Sequence, residues 1–359
     1  MKLHIFNPEH EMALAMNKDS FMLPHNIQEF RMNMGFLPAL WAADGDCVLV
    51  DDVAYAVKAL AQTALPHADV LFLTDADLHY MNFDGVEPWG WDGALCHRLI
   101  LAGVAGSLLP SADGLATIRS LANRRLTTDV LMAVREGLGT DTCGKSFYIT
   151  EFGCVGRLLA SFGRIVLKAP WSSSGRGVRY VGTTINQNIG AWASGIIKRQ
   201  GGIMVEPHYA RVADFAMEFK SDGVGGIEYC GLSVFKTEHA NYTGNVIATE
   251  TEKMAMLARY IQPELIAEVR GRLERFFANI LNKRYRGPFG VDMMVVADAD
   301  GGRCKLHPCV EINFRRTMGH VANSLATSEI EPQRLMSITH GVNYTLKVTT
   351  PERDFVKVL

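Results

Sequence analysis

Short apolar runs alternate with helical patterns at the start of the chain. The runs that have the length and apolar content of strands lie at 3–6, 46–52 and 69–75. Apolar residues at helical spacing lie at 53–63 and 92–103. Strands separated by helices are typical of a parallel sheet that is covered on both faces. The pattern therefore predicts an N-terminal α/β domain over residues 1–112.

The pattern changes in the middle of the chain, which we assign to a second domain over residues 113–200. Helices are predicted at 115–139 and 151–163, the second ending at Gly163. Two apolar strands follow, RIVLKA at 164–169 and VRYV at 178–181, with a run of small residues between them. This order of strand, loop and strand predicts a hairpin rather than the strand-to-helix turn of a P-loop.

Longer strands dominate the third region, which we assign to residues 201–345, followed by a C-terminal tail at 346–359. Strand-like runs lie at 201–209, 214–219, 228–235 and 245–250. The clearest helical periodicity of the chain lies at 263–285, with Pro263 at a favourable first-turn position. Two strand-like runs joined by the turn-forming residues DADGG predict a final hairpin over residues 290–314.

Composition narrows the function classes. The chain has 359 residues, 48% apolar and 21% charged, with a net charge of −2. Neither nucleic acid nor a membrane surface is therefore an expected partner, and no apolar run approaches the ~20 residues of a bilayer span. Seven cysteines without a CxxC pair disfavour a zinc site or a disulfide framework. The start, MKLHIFNPEHEM, lacks the long apolar stretch of a signal peptide, so we expect a cytoplasmic protein.

The loop between the two central strands has the composition of an anion-binding site. Lys168 ends the first strand and supplies a point charge that suits phosphate oxygens. Glycine and serine let backbone N–H groups and hydroxyls approach an anion closely. The loop residues are Ser172, Ser173, Ser174, Gly175, Arg176 and Gly177. The alternative is a solvated hairpin with a surface lysine.

The final hairpin carries a group of hard oxygen donors. Glu311 and Asn313 are two residues apart on one strand, so their side chains share a face. The turn brings Asp292 across from them, in a run (GVDMMVV) that would otherwise be apolar. Two carboxylates and an amide oxygen suit Mg²⁺ that also holds nucleotide phosphates. The alternative is an ordinary hairpin whose polar residues face solvent.

The order of VLKAPWSSSGRG, IMVEPHY and GVDMMVV…VEINFRR resembles the ATP-grasp ligases over about residues 115–325. The resemblance implies a pre-ATP-grasp N-terminal α/β domain followed by a two-lobed ATP-grasp fold. It also implies ATP and Mg²⁺ as cofactors, with Asp292, Glu311 and Asn313 as the metal ligands.

The same resemblance implies roles for further residues. The phosphate contacts would be Lys168, the small-residue loop, Arg125 and Lys236. Glu206 would open the segment beside adenine, with Pro207 and His208 offering backbone groups. Asp214 falls one residue later than the expected ribose-binding acid. The charge that develops during transfer would be steadied by Arg315, with Arg316 as the alternative, together with Lys168.

The implied reaction joins a small-molecule carboxylate to an amine through an acyl phosphate and releases ADP and phosphate. Two alternatives stay open, namely a small-molecule kinase with the same nucleotide residues and a non-catalytic nucleotide-binding protein. The substrates are not named by any motif, although Glu9, His10 and Glu11 follow a predicted strand end where ligand clefts form. A homodimer is the default expectation for assembly.

Overall fold

The computed structural model describes residues 1–172, 177–238, 241–298, 301–326 and 333–350. Its strands are β1 (Lys2–Ile5), β2 (Cys47–Leu49), β3 (Leu71–Leu73), β4 (Gly85–Pro88), β5 (Phe147–Ile149), β6 (Ile165–Lys168), β7 (Val178–Val181), β8 (Ile203–Pro207), β9 (Arg211–Ser221), β10 (Ile227–Glu238), β11 (Asn241–Ile247), β12 (Gly287–Val296), β13 (Lys305–Asn313), β14 (Arg334–His340) and β15 (Tyr344–Thr349). Its α-helices are α1 (His10–Met16), α2 (His25–Met34), α3 (Val53–Thr63), α4 (Asp75–Leu78), α5 (Gly93–Leu101), α6 (Ala112–Leu121), α7 (Leu126–Arg135), α8 (Gly153–Phe162), α9 (Gln187–Gln200), α10 (Glu250–Leu257), α11 (Pro263–Leu281) and α12 (Met318–Ser324).

The N-terminal domain contains a four-stranded parallel sheet in the order β3-β2-β1-β4. The predicted parallel sheet is confirmed, and β4 is a fourth strand that the pattern did not predict. Helix α3 begins where expected because the Asp52 side chain accepts a hydrogen bond from the Tyr55 N–H. The carboxyl ends of β1 and β4 lie side by side, since Ile5 pairs with Pro88.

The central lobe is a four-stranded antiparallel sheet in the order β5-β8-β6-β7. The predicted hairpin is confirmed, with Lys168 opposite Val178 across β6 and β7. Helix α8 ends at Gly163, as predicted, because this residue has a φ of 72° that suits glycine. A separate core joins α8 and α9 to this sheet, and it includes Leu159, Leu167 and Ile196.

The third region contains a seven-stranded antiparallel sheet in the order β13-β12-β9-β10-β11-β14-β15. Helix α11 covers one face of this sheet and buries an apolar stripe at helical spacing, formed by Ile266, Val269, Leu273, Phe277 and Leu281. Fully burying side chains of this size stabilises the fold by about 1.5–3 kcal/mol each. The stripe therefore fixes this face of the sheet as the core side.

The packing crosses the predicted domain boundaries at several points. Helices α6 and α7 bury Ile118, Leu121 and Val130 in the core beneath α11, although they follow residue 112. Strand β8 pairs within the central sheet, although it follows residue 200. Strand β15 spans residue 346 and pairs with β14, while residues 351–359 of the predicted tail lie outside the described part. The boundaries themselves stay a prediction.

Helix α12 connects the N-terminal domain to the large sheet. Val321 and Ala322 pack in one cluster with Phe36 and Leu37 of the N-terminal domain and with Met336 of β14. This cluster holds the end of β13, which precedes α12, next to the N-terminal domain. In the described ranges, no helix combines the length and apolar character of a membrane span, and all seven cysteines are unpaired.

Candidate functional site

The β12–β13 hairpin places the three predicted metal ligands on one sheet face. Asp292 lies opposite Glu311, and Gly290 lies opposite Asn313. The Asn313 amide donates a hydrogen bond to Asp292 Oδ2 at 3.2 Å. The pairing shifts register just beyond Asp292, where β13 has two more residues than β12 between the Asp292–Glu311 and Met294–His307 pairs. Asp292, Glu311 and Asn313 thus converge as the sequence predicted.

Guanidinium groups hold two of these ligands. Arg124 forms an ion pair with Glu311, and Arg315 donates to Asn313 Oδ1 at 3.1 Å. Arg315 also forms an ion pair with Glu11 of α1. The hairpin is therefore tied by charge both to the segment before α7 and to the N-terminal domain.

Asp292 is the most perturbed acid of this group. Burial raises the pKa of Asp292 well above its usual value, and the nearby Glu311 and Glu218 carboxylates add to this rise. Arg315 and the Asn313 amide act in the opposite direction and do not cancel it. A cation at this place would relieve the repulsion between the acids, which is the electrostatic condition of a divalent-metal site.

These side chains fit Mg²⁺, which takes carboxylate and amide oxygens. Asp292, Glu311 and Asn313 would hold the ion. Among the described residues, no three histidine, cysteine, aspartate or glutamate side chains converge in a metal-binding group, so the set depends on the Asn313 amide oxygen.

Lys168 joins the central lobe to the strand that carries Glu311. Its Nζ forms a 2.6 Å ion pair with Glu206 Oε2 and donates to the Val310 carbonyl at 3.2 Å. Ser146 Oγ donates to the other Glu206 oxygen at 3.2 Å. Lys168 and Glu206 are both buried. Since Val310 precedes Glu311 on β13, the predicted lysine contacts the strand that carries two of the predicted metal ligands.

The two ends of the small-residue loop lie close together. Ser172 is bonded through its hydroxyl and carbonyl oxygens to Arg124. A Cβ on Gly177 would lie 2.0 Å from Ser172 Oγ, so only glycine allows this approach. Ser173, Ser174, Gly175 and Arg176 lie outside the described residues.

Arg124, the neighbour of the predicted Arg125, is the arginine that reaches the predicted metal ligand Glu311. Arg124 is buried, and its guanidinium reaches both Ser172 and Glu311. Arg125 is exposed and lies over the Tyr148 ring, 5.2 Å from its centroid. Successive residues at the start of α7 point in different directions, and only Arg124 points inward. The basic pair in NRRL was the available signal, but it does not choose between the two arginines.

Three further predicted nucleotide contacts lie at the end of β8, just after it, and on β9. Pro207 ends β8 opposite Ile165, and exposed His208 donates its backbone N–H to Arg164 O at 3.0 Å. Asp214 pairs with Met294, two residues from Asp292, and therefore faces the same side of the sheet.

Asp214 and Lys236 are both held by neighbouring groups. Asp214 accepts hydrogen bonds from Arg211 at 2.8 Å and Thr237 at 2.6 Å, and burial raises its pKa. Lys236 lies on β10 opposite Gly244 of β11, away from the β12–β13 hairpin. Asp214 therefore shares the face of the β12–β13 hairpin, whereas Lys236 lies on β10, two strands away from β12.

The two adjacent arginines after β13 have different surroundings. Arg315 lines a cleft together with Glu11, Arg124, Glu311 and Asn313. Burial acts to lower the pKa of Arg315, but Glu11 and the nearby acids raise it overall. Arg316 instead lies 4.5 Å from the Trp41 ring centroid, and burial lowers its pKa to about 10. Arg315 is thus the one of the two that meets the predicted metal ligands.

Two further acids, Glu11 and Glu218, lie at the site, although the sequence pattern assigned neither of them a role there. Glu11 of the NPEHEM segment reaches Arg315, so the suspected strand-end contact does border the cleft. Glu218 of β9 is buried beside Gly290 and Gly319, where any added Cβ would lie within 2.5 Å of its carboxylate. The signal for Glu218 was a charged residue within the apolar run DFAMEF.

No model of a known protein family and no curated protein matches the chain. Among solved structures, a biotin carboxylase–β,γ-ATP complex from Campylobacter jejuni is similar, with a TM-score of 0.53 and 11% identity over 94% of this chain and 75% of the carboxylase. Pyruvate carboxylase from Rhizobium etli is similar with a TM-score of 0.54 and 13% identity, over 94% of this chain and 31% of that enzyme. Together with the domain order described above, these likenesses show that the chain has the ATP-grasp fold.

Proposed function

We propose that the protein is an ATP-dependent ligase that joins a carboxylate to an amine. The observation that carries this proposal is the contact of Lys168 with Val310, because it sets the cationic end of β6 against the strand that bears Glu311 and Asn313. The ion pair of Arg315 with Glu11 adds the N-terminal domain to the same cleft. A nucleotide, a metal ion and a second substrate therefore have adjoining places.

The nucleotide would lie between the two lobes. Lys168 would keep its contacts with Glu206 and Val310 and would donate its third ammonium N–H to a phosphate oxygen. The backbone of Pro207 and His208 would border the base, and Asp214 would face the ribose. The similar biotin carboxylase was solved with an ATP ligand, which supports this assignment.

Phosphoryl transfer needs positioning and charge stabilisation more than a side-chain nucleophile. A Mg²⁺ ion bound by Asp292, Glu311 and Asn313 would supply neutralisation of phosphate charge. Lys168 and Arg315 would bring two fixed positive charges to the same region. The ordered ion pairs of these residues mean that little reorganisation is needed when charge develops.

The reaction would proceed in two steps. A substrate carboxylate oxygen attacks the γ-phosphorus of ATP, the bond to the β-phosphate oxygen breaks, and ADP leaves. An amine nitrogen then attacks the carbonyl carbon of the acyl phosphate, forming the C–N bond and releasing phosphate and a proton. Acyl phosphates hydrolyse readily, so water must be kept away from the intermediate. The buried positions of Lys168 and Arg124 would help to exclude water from this region.

A phosphate-release screen tests the proposal. The purified protein is incubated with ATP and Mg²⁺ and with pairs of amino acids or small carboxylates and amines. A ligase releases phosphate only when acid and amine are both present, and Glu311→Gln should reduce this release by more than about 100-fold. A stable phosphorylated product without free phosphate would instead assign a kinase. ATP binding without turnover across the panel would assign a non-catalytic nucleotide-binding protein.

A further inference from the structure

Arg124 is bonded to the metal site and to the segment after β6 at the same time. One guanidinium nitrogen donates to the Ala169 carbonyl and to the Ser172 hydroxyl, both at 2.6 Å. The other donates to the Ser172 carbonyl at 2.9 Å and to Glu311. The guanidinium is thus fixed by three neutral oxygens and pairs with one carboxylate.

The carboxylate that Arg124 pairs with is also a predicted metal ligand. The Arg124 side chain is 6% exposed, whereas that of Glu311 is 27% exposed, so the acid is open to the cleft and the cation is not. A carboxylate oxygen that accepts a guanidinium hydrogen bond is less available to a metal ion, because both cations draw on the same charge. The Arg124 guanidinium therefore supplies to Glu311 the positive charge that a bound metal ion would otherwise supply.

The remaining contacts of Arg124 do not depend on Glu311. The Ala169 and Ser172 oxygens would keep the guanidinium in place if a metal ion took the carboxylate. Its Nε is buried and has no hydrogen-bond partner among the residues that the structure describes, so the group has unused donor capacity. Since the neutral oxygens compensate only its hydrogen bonds, the positive charge would then be free to face an anion.

We propose that Arg124 is an internal counter-ion that competes with the divalent metal for Glu311 and is released toward the nucleotide phosphates when the metal binds. This inference rests on the proposed function for the identity of the ligands, but the competition itself concerns only the protein and the metal. It explains how the crowded acids Asp292 and Glu311 are tolerated in a protein without metal. A cation of the chain neutralises one of them until the ion arrives.

The test is a titration with Mn²⁺ in place of Mg²⁺, without ATP or any substrate, followed by calorimetry or by electron paramagnetic resonance of free Mn²⁺. Arg124→Gln removes the competing charge and should bind Mn²⁺ about tenfold more tightly than the wild type, the change that about 1.4 kcal/mol produces. Arg124→Lys retains the charge and should stay near the wild-type affinity. Arg125→Gln, one residue away and exposed, is the matched control and should change nothing.

A purely structural role for Arg124 predicts a different pattern. Loss of its hydrogen bonds would then leave Mn²⁺ affinity in Arg124→Gln unchanged or weaker, and either result overturns the proposal. Adding Glu311→Gln to the Arg124→Gln protein should abolish the gain, and a gain that persists would also overturn it.

A measurement on the wild type follows the Arg124 guanidinium directly, and a variant is needed only to assign its resonance. The side-chain Nε resonance of Arg124, assigned by its loss in Arg124→Lys, should shift on addition of Mg²⁺ alone. An unshifted resonance at saturating Mg²⁺ contradicts release from Glu311. Because no arm uses ATP or substrate, failure here is distinguishable from a negative phosphate-release screen, which would reject the ligase and leave the metal competition standing.

Discussion

Lys168 and Glu206 form a 2.6 Å ion pair in which both side chains are less than a tenth exposed. The lysine comes from the end of β6 and the acid from its neighbour β8, in a position where Val166 pairs with Glu206. A buried pair of this kind is held together because removing either charge leaves the other without compensation. The predicted phosphate-binding lysine is therefore also a structural partner of the predicted adenine-side acid.

Substitution of Lys168 should reduce stability as well as ATP affinity. Lys168→Met leaves the Glu206 carboxylate buried and unpaired, and the free energy of unfolding should fall by about 3–5 kcal/mol. Adding Glu206→Gln should restore most of this loss in urea unfolding curves. The double variant should still bind ATP at least about tenfold more weakly by calorimetry, because a charged hydrogen bond is missing. A double variant with wild-type affinity would remove Lys168 from the phosphate site.

The two neighbouring arginines give a matched comparison for nucleotide binding. Arg124→Gln should weaken binding of ATP at saturating Mg²⁺ by at least about tenfold, since a charge-assisted contact contributes about 1.5–3 kcal/mol. Arg125→Gln should lose only its exposed contact with the Tyr148 ring, 5.2 Å away, and keep the wild-type affinity. Calorimetric titrations of both variants decide this, and a larger effect at Arg125 would reverse the assignment.

Asp292 should make the metal-free protein less stable as pH rises. Its pKa is raised by burial and by Glu311, so the folded state binds this proton more tightly than the unfolded chain does. The free energy of unfolding therefore falls with increasing pH, from about pH 4, the unfolded pKa, up to the raised folded pKa. Asp292→Asn lacks this loss and should be more stable than the wild type at pH 7, by at least about 1 kcal/mol, the free energy of one pKa unit.

The measurement for Asp292 is urea unfolding in EDTA at several pH values between 4 and 8. The variant should gain on the wild type with each step upward in pH, and equal pH slopes for the two proteins would contradict the raised pKa. Mn²⁺ should stabilise the wild type but not the variant, because the substitution also removes a proposed metal ligand.

His307 should set part of the acid sensitivity. Burial, and then Lys168 and Arg135, lower the pKa of His307 to about 3, and in the described part of the chain neither ring nitrogen has a hydrogen-bond partner. The unfolded chain takes up this proton near pH 6.5 and the folded protein only near pH 3, so stability is lost as pH falls between these values. His307→Leu should remove that loss, because leucine does not titrate and fills the buried position with an apolar side chain of similar size.

Unfolding curves at pH 7, 5.5 and 4.5 test this prediction. The difference between His307→Leu and the wild type should be constant near pH 7 and should grow in favour of the variant below pH 6.5. Parallel behaviour down to pH 4.5 would show that His307 is protonated in the folded protein.

Local patterns were sufficient where a residue's neighbours in sequence set its environment. The apolar periodicity of 263–285 predicted α11 because one face of a helix must be buried. The spacing of Glu311 and Asn313 placed them on one face because side chains alternate along a strand. The lysine at the end of β6 and the small residues after it likewise predicted the β6–β7 hairpin.

The sequence alone thus determined the strands and helices with clear periodicity, the hairpin with its oxygen-bearing side chains and the resemblance that names the fold, because these depend on short-range periodicity and spacing. Only the tertiary structure decided that Arg124 rather than Arg125 faces Glu311, that Glu11 reaches Arg315, and that Lys168 pairs with Glu206. Each of these contacts joins residues from separate elements, and Glu11 and Arg315 are 304 positions apart. Their choice of partner depends on how whole lobes pack, and local sequence pattern contains no information about the direction in which one of two adjacent arginines points.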